Sequence, residues 1–235
     1  MTRSNAAPPV RMYENGGVTL YMLRGRDGDL MIDTGFFRMR RDIEGWMQPF
    51  RVRHVFLTHA HPDHDWTAAY FQRSGCALML SAADMPLRQH FLRQPVHAVL
   101  PQYRLRNLMQ LAGGALCRSR AYTPDIILKP EDSAYLQTCG FDAEIIPLPG
   151  HTLGSLGILS GGVLYCGDAF TMLFGKPDIT PHAHSIPLMQ RSLRTILHCG
   201  AQWLACGHGR PVRMQEARPV MQRYLSSQAA EKSKT

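Results

Sequence analysis

Between Phe56 and Trp66 the chain reads FLTHAHPDHDW, with three histidines and two aspartates crowded into eleven residues directly after an apolar run. Residues two apart in an extended segment point the same way, so His59 and His61 can grip one ion together across Ala60. Pro62 suits the first position of a following helix, whose start presents Asp63 and His64 to a neighbouring point. Imidazole and carboxylate are the usual donors for zinc and related divalent ions. Four such side chains in six positions are too many for solvated surface histidines. The chemistry this stretch can do is metal binding.

Three further stretches carry one ligand-type side chain each, and all three share a context. PLPGHTLGS places His151 in a glycine-rich turn after a strand; VLYCGDAF places Asp168, and WLACGHGRP places His208, in the same way. Strand ends that meet at one edge of a sheet sandwich would gather all of them into one cleft. Cys166 and Cys206 each lie two residues before one of these side chains and read as packed strand residues.

The elements that must position these residues follow from pattern and punctuation. GVTLYMLRGRDGDLMIDTG reads as a hairpin about Arg26-Asp27-Gly28-Asp29. FRMRRDIEGWMQ reads as a helix, VRHVFL as a strand, DWTAAYFQRSG as a helix stopped at Gly75, and CALML as the next strand. From Ala82 to Tyr122 the pattern is helical, in pieces broken at Pro86, Pro95 and Pro101. Short strands are expected at Ile126–Leu128, Ala134–Gln137, Ala143–Pro147, Leu156–Leu159 and Val163–Cys166. A helix near Leu188–His198, a strand Trp203–Cys206 and a helix near Arg218–Ser227 complete the pattern. Strands in two batches, each finished by helices, imply two sheets face to face with helices outside, an α+β sandwich.

Composition sets the frame. The 235 residues are 45% hydrophobic and 19% charged, which suits one globular domain spanning 1–235 with a real core. No apolar run approaches the ~18 residues of a membrane-spanning helix, so no membrane partner is expected. The first residues, MTRSNAAPPVRM, lack an apolar signal core, so a cytoplasmic location is expected, with the six scattered cysteines reduced. A net charge of +8 reads mainly as a solvated basic surface, while remaining compatible with an anionic small molecule or a nucleic acid.

H-x-H-x-D-H, then G-H-T, G-D and G-H-G in that order, resemble the metallo-β-lactamase superfamily, and LMIDTG resembles that family's early strand and turn. The similarity spans about Gly17 to Pro211. It implies a four-layer αββα sandwich with a helical insertion at about 82–122 and a dinuclear site at one edge, close to the glyoxalase II or lactonase branch. Carried over by position, His59, His61 and His151 would hold one ion and Asp63, His64 and His208 the other. Asp168 would bridge them, and Asp33 would hold the site loops. Two divalent ions are implied, with zinc expected and iron or manganese served by the same donors. Such a pair can share a water and lower its pKa, supplying hydroxide near neutral pH, and Asp63 would orient that nucleophile. The expected function is a metal-dependent hydrolase of a small ester-like substrate, a thioester or a lactone. The alternative is a phosphodiesterase or nuclease acting on an anionic phosphodiester.

Two departures qualify the resemblance. Many relatives continue D-H-x-G-G, whereas this chain has Asp65-Trp66-Thr67, a bulkier first helical turn beside the substrate entrance. Secreted β-lactamases with a cysteine ligand place it where Asp168 stands and carry a signal peptide, so antibiotic hydrolysis is not the expected purpose. The insert brings Arg88, Arg93, Arg104, Arg106, Arg118 and Arg120 against Asp84 as its one acid, and could cap the cleft. His182 and His184 in PHAHS could line the pocket mouth but read first as an ordinary loop, and His54, His90, His97 and His198 carry no spacing signal.

Overall fold

The computed structural model describes residues 10–15, 17–88, 90, 93–114, 121–129 and 131–232. The chain opens with β1 (Arg11–Asn15), β2 (Val18–Leu23) and β3 (Asp29–Ile32), then α1 (Arg40–Met47) and β4 (Val52–Phe56). Two short helices, α2 (Pro62–Asp65) and α3 (Ala68–Arg73), lead to β5 (Ala77–Ser81). The insert holds β6 (His97–Ala98) and α4 (Arg104–Gly114), and β7 (Ile126–Leu128) follows it. The second half runs α5 (Tyr135–Thr138), β8 (Glu144–Pro147), β9 (Leu156–Ser160) and β10 (Val163–Gly167). After it come β11 (Thr171–Leu173), β12 (Lys176–Asp178), β13 (His182–Ala183), α6 (Ile186–His198), β14 (Trp203–Cys206), β15 (Val212–Arg213) and α7 (Met214–Lys232).

Two mixed sheets result. One has the order β1-β2-β3-β4-β5-β7 and the other β15-β14-β10-β9-β8. Strand alternation decides what each layer buries. Leu30, Ile32, Phe56 and Met79 of the first sheet meet Ile145, Ile158, Tyr165 and Ala205 of the second, forming the core between the sheets. The intervening residues face outward: Met31, Val55, Leu78 and Leu80 pack under Ile43 of α1 and Phe71 of α3. On the far side Leu164, Cys166, Leu204 and Cys206 pack under Met189, Leu193 and Ile196 of α6 and Met221 and Tyr224 of α7. The architecture is the expected αββα sandwich, and Cys166 and Cys206 are packed strand residues as read. Cys76, Cys139, Cys166, Cys199 and Cys206 are free thiols, and Cys117 lies outside the described residues.

Three local readings are corrected. The segment Ala134–Gln137 is not a strand: Tyr135–Thr138 forms a helical turn, started by the Tyr135 N–H donating to the Asp132 carbonyl and fixed by buried Leu136. Four residues with one apolar anchor satisfy either period, so the pattern could not choose. Between Ala82 and Tyr122 the described residues are less helical than expected, with 3-10 turns at Ala82–Asp84 and Pro101–Tyr103 and α4 as the one long helix. Arg118 and Arg120 lie outside the described residues. Third, PHAHS is not a plain loop: β13 pairs with β6 of the insert, His182 opposite Ala98 and Ala183 opposite His97, which fastens the insert beside the strand ends.

Candidate metal centre

The loop after β4 carries the first histidines. Asp33, at the end of β3, takes a left-handed backbone with φ of 61°. Its carboxylate accepts from the Thr58 N–H (2.8 Å) and the Thr58 hydroxyl (2.9 and 3.0 Å) and meets His64 Nδ1 at 2.8 Å. Thr34 adds two bonds to the His64 carbonyl, from its N–H at 2.7 Å and its hydroxyl at 2.8 Å. Asp33 therefore braces the whole loop and points His64 Nε2 inward, matching the loop-holding role that the resemblance implies for it.

The Gly-His-Thr turn is brought to the same place by two devices. Gly150 has φ of 144°, and a Cβ there would sit 2.3 Å from the Met189 backbone nitrogen, so only glycine lets α6 approach the turn. Asp84, fully buried, then ties this turn to the first loop. It accepts from the Ala60 N–H (3.0 Å), the Thr152 hydroxyl (2.8 Å) and the Gly154 N–H (2.7 Å). Burial pushes its carboxyl up from the ordinary value, and these three donors pull it back. The sequence marked Asp84 only as the insert's lone acid; its position just after a strand was the available signal.

All seven predicted side chains converge. His59 Nε2 lies 3.1 Å from His61 Nδ1, which lies 3.0 Å from His151 Nε2, so three ring nitrogens face one point. His59, His64 and Asp168 form a second close group, and Asp63, His64 and His208 a third. Asp168 stands between them: Oδ1 is 3.6 Å from His64 Nε2, and Oδ2 is 3.6 Å from His151 Nε2 and 3.2 Å from His208 Nε2. Asp63 Oδ2 lies 3.3 Å from His208 Nε2 and 3.7 Å from His64 Nε2. The outer nitrogens are tied back, His59 Nδ1 to the Thr58 hydroxyl, His151 Nδ1 to the His182 carbonyl and His208 Nδ1 to the Gly17 carbonyl. Such outer partners fix tautomer and ring direction in metal sites.

The electrostatics divide the cluster. Burial, followed by repulsion from neighbouring rings, holds His59 and His61 well below the usual imidazole value, and burial lowers His151 as well. These three rings are neutral and keep a lone pair for an ion. Burial also opposes charge on the remaining two rings but loses to the carboxylates beside them. Asp63, Asp33 and Asp168 lift His64 to about 9, and Asp168 and Asp63 raise His208. Half-buried Asp63 and buried Asp168 are correspondingly held ionised by these imidazoles, although desolvation opposes the charge on both.

The donor set fits divalent ions on independent grounds. His64 Nε2 and Asp168 Oδ1 are buried without any hydrogen-bond partner, a costly state for protein atoms alone. A Cβ on Gly207 would lie 2.5 Å from the His64 ring and 2.6 Å from Asp168 Oδ1, so this glycine leaves the room those atoms share.

A cavity of about 320 Å³ opens beside the cluster, bordered by Asp168 and His208 and by Met172, Thr180, His182 and Arg106. His182 is thus a wall residue, the alternative that the sequence reading ranked below an ordinary loop. Its ring, 4.5 Å from that of His151 between centroids, is pushed down to about 3 by burial and then by His151. Of the insert's arginines, Arg106 reaches the cavity, whereas Arg88 is used on the Met85 and Tyr122 carbonyls. Trp66 packs against Phe36, with centroids 6.0 Å apart, and is not among the described residues bordering the cavity.

A family model described as "Metallo-beta-lactamase superfamily" matches residues 13–208. Solved structures share the fold at low identity. The metallo-beta-lactamase family protein TTHA1429 from Thermus thermophilus is 20% identical with a TM-score of 0.65, covering 91% of this chain and 75% of its own. TTHA1623, solved in a di-iron-bound form, is 19% identical with a TM-score of 0.62, covering 91% and 95%. The metallo-beta-lactamase FIM-1 from Pseudomonas aeruginosa, solved in a mono-zinc form, is 16% identical with a TM-score of 0.61, covering 95% and 97%. No curated protein matches the chain.

Proposed function

The chain belongs to the metallo-beta-lactamase superfamily of metal-dependent hydrolases, and from that premise we propose that it cleaves a small ester-like substrate, a thioester or a lactone, at a dinuclear centre. His59, His61 and His151 would hold one ion, and Asp63, His64 and His208 the other, with Asp168 serving both. Bound there, the two ions supply Lewis acidity and a water ionised near neutral pH. Zinc is the proposed metal because hydrolysis needs no redox change. The fold's di-iron and mono-zinc relatives mean that iron uses a similar frame.

The remaining work falls to the chain's own groups. Asp63, partly exposed and kept ionised by His64 and His208, orients the attacking water. His182 and Thr180 shape the wall, the latter spending its hydroxyl on the Asp168 carbonyl at 2.7 Å. Arg106 offers a charge to an anionic end of the substrate.

The observation that carries the reading is the size of the cavity. About 320 Å³ lies at the small end of the range for small-molecule sites, which favours a compact ester over a polynucleotide. The test is elemental analysis of purified protein together with a panel of thioesters, lactones and phosphodiesters. Two ions per chain with turnover of a thioester or lactone is the expected result. Turnover confined to phosphodiesters would overturn the ester assignment.

A further inference from the structure

Gln94 belongs to the insert, just ahead of β6, yet it touches the heart of the metal cluster. The residue is 6% exposed, and its amide nitrogen lies 2.7 Å from His61 Nε2. The other nitrogen of that ring, Nδ1, faces His59 and His151. The contact therefore pairs two nitrogens behind a ring whose front joins the three-histidine group. Beside it, Gln94 Oε1 is buried with no hydrogen-bond partner.

With an ion on Nδ1, turning the Gln94 amide reconciles these facts. A neutral imidazole that offers Nδ1 to an ion carries its proton on Nε2, and Nε2–H needs an acceptor. An amide NH2 cannot accept, but the two ends of the amide are the same shape, and hydrogen-bond chemistry decides which end faces the ring. Turning the amide puts the partnerless Oε1 opposite Nε2–H and satisfies both groups at once. We infer that Gln94 is a positioning residue of the metal centre, accepting the Nε2–H proton of His61 through Oε1 and so fixing the tautomer that presents Nδ1.

The position of Gln94 is itself held. The strand that follows it, β6, pairs with β13, and the Val99 N–H donates to the Pro181 carbonyl at 3.0 Å. The same β13 supplies the His182 carbonyl that meets His151 Nδ1 at 3.1 Å. One two-stranded ribbon thus backs two of the three histidines, His151 directly and His61 through Gln94. The insert is part of the metal site's frame rather than a detachable cap over it.

This inference rests on the metal reading above, and its test separates the two. Metal-free protein is titrated with Zn2+ in competition with a chromophoric chelator, and the two binding steps are read without any substrate. Wild type should bind two ions. Gln94→Ala should weaken one step by about tenfold to a hundredfold, the usual cost of losing an outer partner, and leave the other unchanged. Gln94→Glu keeps an acceptor for Nε2–H and should restore that step to wild-type strength or better. Gln94→Ala binding both ions within twofold of wild type would overturn the inference, and so would Gln94→Glu as weak as Gln94→Ala. A wild type that takes up no Zn2+ would instead overturn the metal reading, and this inference with it.

Discussion

Asp84→Ala should destabilise the fold and loosen the metal site together, because one buried carboxylate serves both. The substitution removes the acceptor of the Ala60 and Gly154 N–H groups and of the Thr152 hydroxyl. Thr152 has Ser155 Oγ at 2.7 Å as another partner, so two backbone donors are left without one. A buried donor deprived of its acceptor costs about 1–3 kcal/mol. Two of them give about 4 kcal/mol, less a part returned because a desolvated charge disappears, leaving about 3 kcal/mol. That is a large share of the roughly 5–15 kcal/mol that stabilises a typical domain. Asp84→Asn keeps one carbonyl acceptor but turns an NH2 toward one donor, so about half the loss is expected. The assay is urea unfolding at pH 7 in the presence of chelator, which keeps metal binding from masking the change. Ala60 lies between His59 and His61, and Thr152 follows His151, so Zn2+ affinity should fall in the same variant. A loss below about 1 kcal/mol for Asp84→Ala, or equal losses for Ala and Asn, would refute the account in which hydrogen-bond satisfaction is what Asp84 contributes.

The remaining predictions concern metal, protons and charge. Wild-type protein loaded with metal should carry two divalent ions, and Asp168→Ala should weaken both binding steps; loss of one alone would disprove a shared carboxylate. Asp63→Asn should lose most turnover while elemental analysis still finds metal, and a fully active variant would remove Asp63 from its role. Without metal, stability should peak near pH ~6.5. His64, raised to about 9, stabilises fully below the unfolded value and loses that contribution as pH climbs through 9. On the acid side His59 and His61, and His182 at about 3, stay neutral in the fold while the unfolded chain takes up protons, so stability falls with pH. Chelator-treated protein that grows steadily more stable up to pH 9 would contradict this. Arg106→Ala should raise KM for an anionic ester about fivefold, with less effect in high salt and little on a neutral ester. Arg104→Ala, away from the cavity, should leave both substrates unaffected, and equal effects of the two variants would refute the assignment.

What the sequence disclosed and what it withheld divide along a physical line. The donors were legible because ligand-type side chains are costly to crowd, so His59, His61, Asp63 and His64 stand out by density and His151, Asp168 and His208 by repeated strand-end context. The core strands were legible for a similar reason: β14 runs from Trp203 to Cys206 as read, since a buried apolar run bounded by glycine has few alternatives. Weakly anchored pieces were not. β1 has one neighbour, β2, and no residue of it is buried, so no alternation marks it. The hairpin of β11 and β12 is three residues a side and half-buried, with Phe174 at its tip 91% exposed.

Asp33 was named through the resemblance, but two other residues that support the donors, Asp84 and Gln94, escaped notice because each looks ordinary alone. An aspartate after a strand, as Asp84 is, usually caps a turn, and a glutamine before a proline, as Gln94 is, usually faces water. What distinguishes them is a contact across a large sequence separation: 68 residues from Asp84 to Thr152, 33 from Gln94 to His61. Spacing rules see only neighbours within an element, so they find the ligands and miss the braces. The same reasoning explains the insert. Its charge suggested a basic cap, but among its described arginines Arg88 closes a loop and Arg106 reaches the cavity, while its uncharged Gln94 reaches deepest. If the braces set donor geometry, the insert governs metal affinity as well as substrate choice, and changes to the segment should move both. A purely steric cap would move KM alone.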